Sequence, residues 1–150
     1  MVLNKELYKS NPPIIAGDGL IENLFLKAHF FDQLVEFKGL LDKAELYATM
    51  KDVKYCIFPS VYEPWGLALT EALAMGKICI VSNEDSGMLE QVKHMENAIL
   101  FDFKRTSVSQ LIENLNNNND KDLFDNMSKK ANESAKEIGD HFEKLRGVIC

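Results

Sequence analysis

Phe58-Pro59-Ser60-Val61-Tyr62-Glu63-Pro64-Trp65-Gly66-Leu67-Ala68-Leu69-Thr70-Glu71-Ala72 is the stretch that decides the fold. An apolar strand runs into a loop carrying one carboxylate, Glu63. A glycine then opens a helix that carries a second carboxylate, Glu71, eight positions later. A helix start offers unpaired backbone N–H groups and the positive end of the helix dipole, which together favour a phosphate. Ionised carboxylates accept hydrogen bonds only, so a pair of them beside a phosphate site suits hydroxyl-rich groups. A phosphate flanked by two polyols describes a nucleotide sugar.

Outward from this stretch the chain alternates strand and helix. Tyr55 to Pro59 reads as a buried strand, Gly66 to Met75 as the helix, and Gly76 as its stop. Lys77 to Val81 is a β-branched apolar run, expected to be covered on both faces. Residues 86–93 read as a short helix, Ala98 to Phe101 as a last strand, and Ser107 as the cap of a helix to about Leu115. Asn116 to Asp120 is polar and low in complexity, which predicts a solvated turn. Helical spacing returns through Leu123, Met127, Ala131 and Ala135 over residues 121–138, with an extension across 140–147.

Upstream, residues 3–10 read as a helix broken by Pro12-Pro13. Ile14 to Ala16 is a strand entering the Gly17-Asp18-Gly19 turn, and residues 20–32 are helical in period. Val35 to Phe37 is a strand, and Asp42 with Glu45 forms a capping box for a helix to about Met50. This order predicts an α/β fold, a doubly wound, Rossmann-like parallel sheet, forming a single domain over residues 1–150. Ligands in such folds sit at the carboxyl ends of strands, where Tyr55–Pro59 leads into Glu63. Gly17-Asp18-Gly19 lacks the third glycine of a dinucleotide fingerprint and reads as a structural turn.

The chain of 150 residues is 46% apolar and 27% charged, as expected of a globular protein. A net charge of −6 argues against nucleic acid as a partner. No apolar run approaches the roughly 20 residues that span a bilayer. The three cysteines and three histidines show no metal-ligand spacing, and no metal is expected. Cys56 and Cys79 lie in apolar strands as small hydrophobes, which fits a reducing, cytoplasmic setting.

The motif resembles the glutamate-x7-glutamate signature of the family 4 retaining glycosyltransferases, which have the two-lobed GT-B fold. Four stations agree in order: Val53 to Ser60, Ala72 to Ser82, Ser86 to Val92, and Asn97 to Phe101. The resemblance covers roughly residues 14–135 and implies the C-terminal, donor-binding lobe. It implies that Glu71 holds the ribose of a nucleotide diphosphate sugar and that Glu63 reaches the transferred sugar as the catalytic carboxylate. Gly66 and Leu67 would present amides to the diphosphate. Trp65, where relatives have Phe or Trp, is a ligand contact or a packed plug, and Leu41 borders the nucleobase. No metal or other cofactor is implied, since the leaving phosphate itself assists the incoming hydroxyl.

The family transfers a hexose to a glycan or lipid-linked acceptor bound by an N-terminal lobe. Neither that lobe nor the upstream Arg/Lys pair that neutralises the diphosphate is found in this sequence. The chain is therefore expected to be an N-terminally truncated lobe, inactive alone. The resemblance also implies peripheral membrane association of the full protein. Two departures stand out: Ser86, Gly87 and Leu89 replace two glycines and a proline, and Lys54 replaces an aspartate. Alternative readings are a non-catalytic remnant or interaction module, or another GT-B enzyme such as a nucleotide-sugar epimerase or glycogen synthase.

Overall fold

The computed structural model describes residues 12–17, 35–84, 86–118 and 120–149. The chain divides into two compact units, Met1–Lys51 and Asp52–Cys150. The expected helices over residues 3–10 and 20–32 lie outside the described residues, as do Asp18 and Gly19.

In the first unit, β1 (Ile14–Ala16) pairs in parallel with β2 (Glu36–Gly39). Helix α1 (Lys43–Asp52) follows, starting in this unit. Its capping box forms as expected: Glu45 N donates to Asp42 Oδ1 at 2.9 Å, and Asp42 N donates to Glu45 Oε2 at 3.0 Å. Two of the amides left open at the helix start are thereby satisfied.

The second unit is built on β3 (Tyr55–Phe58), β4 (Ile78–Ser82) and β5 (Ile99–Phe101), a parallel sheet in the order β3-β4-β5. Parallel neighbours need crossovers, and α2 (Leu67–Ala74) supplies the first. A single turn of 3₁₀ helix (Gly87–Gln91) lies in the second, where a longer helix over 86–93 was expected. Then come α3 (Val108–Asn118) and α4 (Lys121–Ile149). The chain is thus α/β, with parallel sheets and helices, as expected.

All five residues of β4 are buried, so the β-branched run is covered on both faces. Ile78 and Ile80 pack with Ile99, Phe101, Phe124 and Met127, sealed by Val108, Leu111 and Leu115 of α3. The opposite parity carries Cys79 and Val81, both fully buried. Helix α4 also closes the C-terminal end of α2. Ser128 Oγ donates to the Gly76 carbonyl at 2.7 Å, and Asn132 Nδ2 donates to the Ala74 carbonyl at 2.5 Å. The Ala74 carbonyl is among those a helix end leaves without partners, and Gly76 follows the C-cap, so α4 docks on the C-terminal end of α2.

The first three residues of the polar run after Leu115, where a solvated turn was expected, are helical, and Asp120 lies outside both flanking helices. Helix α3 continues through Asn118, and Asn116 Oδ1 accepts the Tyr55 hydroxyl at 2.9 Å. A tertiary bond to β3 outweighs the weak helix propensity of asparagine.

Candidate functional site

The carboxyl end of β3 passes through Pro59 to Tyr62 into Glu63, and Gly66 caps α2. Gly66 sits in the left-handed region at φ +83°, ψ +62°, open to glycine at little cost. Space makes the same demand: a Cβ there would stand 2.6 Å from Met88 Cγ. The first intrahelical bonds run from the Leu69 and Thr70 amides to the Gly66 carbonyl. The Leu67 and Ala68 amides therefore stand ahead of the helical ladder, as helix geometry requires.

Glu63 is half-buried, and its Oε1 accepts the Gly66 N–H at 3.2 Å. The first glutamate of the motif is thus an N-terminal anion on α2, favoured by the helix dipole. The Glu63 carbonyl also accepts the Gly87 N–H at 2.8 Å. Gly87 packs so closely on the loop that a Cβ would fall 1.8 Å from the Pro64 carbonyl oxygen. The segment Ser86 to Gln91 is therefore seated directly on Glu63 to Trp65.

Glu71 is half-buried, one turn beyond Leu67 on α2. Five residues of helix separate it from Gly66, a rise of roughly 7–8 Å. Leu67 at the helix start is 73% exposed, and Tyr62 and Val61 in the preceding loop are 79% and 61% exposed. The second unit thus brings together Glu63, Trp65, Gly66, Leu67 and Glu71. Trp65 is half-buried and lines a cavity of about 270 Å³ with Gln91, Asn97, Ser134 and Ile138. Leu41 is half-buried between β2 and α1 of the first unit, beside the exposed Leu40.

Three residues that the sequence reading passed over organise the loop. Gln91 and Asn97 are 4% and 2% exposed, and Thr70 joins them through its hydroxyl, which donates to Gln91 Oε1 at 2.7 Å. The available signal was Gln91 itself, an uncharged polar residue directly before the apolar Val92. Lys54, where the family resemblance leads one to expect an aspartate, has a definite role. Its Nζ stands 5.1 Å from the Tyr55 ring centre and 4.6 Å from that of Phe124, joining β3 to α4.

Residues 4–137 match the sequence model of the family described as glycosyl transferases group 1. The chain belongs to that family. Among curated relatives, the uncharacterized glycosyltransferase YqgM of Bacillus subtilis is 29% identical over 93 residues, 60% of this chain and 26% of that protein. Glycosyltransferase MJ1607 of Methanocaldococcus jannaschii is 33% identical over 90 residues, 57% of this chain and 23% of its own. Glycogen synthase of Mycobacterium tuberculosis is 35% identical over 72 residues, 46% of this chain and 17% of the enzyme. The chain spans about a quarter of the length of the first two relatives.

Solved structures of glycosyltransferases share the fold. HepE of Anabaena in complex with UDP-glucose superposes with a TM-score of 0.67 at 23% identity, over 84% of this chain and 36% of that one. TarM superposes at 0.73 with 21% identity, over 95% of this chain and 30% of its own. The matched family is one of glycosyltransferases, and the α/β fold of the chain is that of solved glycosyltransferase structures.

Proposed function

We propose that this chain is the donor-binding lobe of a retaining group 1 glycosyltransferase that takes a hexose from a nucleotide diphosphate sugar. The observation that carries the reading is the flanking of the α2 start by two carboxylates, Glu63 in the preceding loop and Glu71 one turn into the helix. Neighbours of the same fold include HepE bound to UDP-glucose and to UDP, which supports a donor of this class.

In this reading Glu71 accepts the ribose hydroxyls, and Glu63 meets the transferred sugar. The Gly66 N–H already holds Glu63. Phosphate oxygens would take the Leu67 and Ala68 amides, and Gly66 contributes its left-handed backbone. Trp65 supports the loop from the side of α4, and Leu41 borders the base. The bond from the sugar's anomeric carbon to phosphate breaks, and the acceptor oxygen bonds that carbon on the same face. The acceptor's proton passes to the departing phosphate. No protein nucleophile or metal is required, and rate enhancement comes from positioning and from charge stabilisation at the diphosphate.

The acceptor is a glycan or a lipid-linked sugar, held by a part of the full protein other than this lobe. A second reading, transfer to a growing α-glucan, is favoured by the 35% identity to glycogen synthase. Calorimetric titration of the chain with UDP, GDP and ADP tests the proposal. One nucleotide should bind saturably and be lost in Glu71→Ala; no binding by any at millimolar concentration would refute it.

A further inference from the structure

The Trp65–Gly66 peptide is held at both ends. Its N–H donates to Glu63 Oε1 at 3.2 Å, and its C=O accepts the side-chain N–H of Gln91. A trans peptide points these two groups in opposite directions, so the pair of bonds fixes the plane of one unit. Something must fix it, because Gly66 accepts φ of either sign almost equally. A side chain cannot do so from Gly66 itself, since Met88 fills the space a Cβ would need.

Gln91 is well placed for this task. Its Oε1 accepts Thr70 Oγ1 at 2.7 Å, and that hydroxyl also reaches the Gly66 carbonyl at 3.4 Å. The Gln91 backbone carbonyl accepts Asn97 Nδ2 at 3.0 Å, and the same amide meets Ser134 Oγ of α4 at 2.9 Å. At 4% exposure Gln91 makes these bonds with little competition from water. It is anchored toward α4 and grips the peptide on the side away from Glu63.

We propose that Gln91 is a positioning residue for Glu63, acting through the Trp65–Gly66 peptide. Its role in catalysis rests on the donor-binding reading above. Without the glutamine donor, the peptide is free to turn over and take the Gly66 N–H away from the carboxylate.

The test uses the full chain and three variants, Gln91→Met, Gln91→Glu and Thr70→Val. The glutamate variant still accepts from Thr70 but has no N–H for the Trp65 carbonyl. Amide hydrogen exchange at Gly66 should accelerate about tenfold in both Gln91 variants, the size of one lost hydrogen bond. Thr70→Val should accelerate it less, and Ile80 in β4 should be unchanged. In titrations with UDP, GDP, ADP and their glucose conjugates, the affinity added by the sugar should be lost while nucleotide affinity is kept.

Unchanged exchange at Gly66, or an equal loss for nucleotide and nucleotide sugar, would overturn the proposal. If the wild type binds none of these ligands, the donor reading fails and the Gly66 exchange alone decides the positioning role. Should a Gln91 variant not fold, Thr70→Val carries the same exchange test with Gln91 in place: acceleration supports the proposal, and none overturns it.

Discussion

The Gly87 N–H and the Glu63 carbonyl lie 2.8 Å apart, and this bond seats the segment after β4 on the loop after β3. The contact has no room for a side chain, because a Cβ on Gly87 would stand 1.8 Å from the Pro64 oxygen. Gly87→Ala should destabilise the chain by about 2–3 kcal/mol or more, as backbone must move to relieve the overlap. Gly139→Ala is the control. Gly139 lies within α4 with nothing within 4 Å of an added Cβ. That change should stabilise by about 0.5–1 kcal/mol. Urea denaturation of the two variants checks both signs.

Glu63 holds the Gly66 N–H with a charged oxygen at the positive end of α2. Glu63→Gln keeps the shape and removes the charge, so stability should fall by about 1 kcal/mol. The same substitution should reduce affinity for a nucleotide sugar more than for the nucleotide. Denaturation and calorimetry on one preparation separate the two effects; equal losses for both ligands would remove Glu63 from the sugar site.

Lys54 lies over the Tyr55 and Phe124 rings. Lys54→Asp should cost about 0.5–1 kcal/mol, through loss of the cation–π contact. Lys54→Arg should retain most of it. A thermal melt in which the aspartate variant is unchanged would remove this contact from the link between β3 and α4.

Cys56 and Cys79 stand opposite each other in the β3–β4 register, both buried. Burial pushes the Cys56 thiol up from 9.0 to about 11, opposed weakly by Lys77. Burial, with Cys56 beside it, raises Cys79 well above the same value. The folded state therefore keeps protons that the unfolded chain releases above about pH 9. Their contribution to stability is fully present below that pH and is lost as pH rises toward 11. Urea midpoints should fall between pH 8 and pH 10.5, less steeply in Cys56→Ala. Iodoacetamide at pH 8 should label these two thiols only after denaturation.

Much of the fold was legible because its signals are local. The apolar run Ile78 to Val81 announced a doubly covered strand, and Asp42 with Glu45 announced a cap that forms with both bonds. What escaped the reading is long-range. Nothing near Asn116 indicates Tyr55, which lies 61 residues away and draws α3 past the expected stop. The 3₁₀ turn is shorter than the helix expected over 86–93 because Gly87 donates its N–H to Glu63, a partner the local sequence does not reveal. The candidate site divides the same way. Glu63, Gly66 and Glu71 follow from a spacing, whereas Gln91 reaches Trp65 across 26 residues and Asn97 reaches Ser134 across 37.

The most direct measurement is a map of backbone amide resonances as the best-binding nucleotide is added. The account predicts its largest shifts at Leu67 and Ala68, a second group around Glu71, and loss of the response in Glu71→Ala. Shifts centred instead on Ser134, Ile138 and His141, or none at saturating nucleotide, would contradict a donor site at the start of α2.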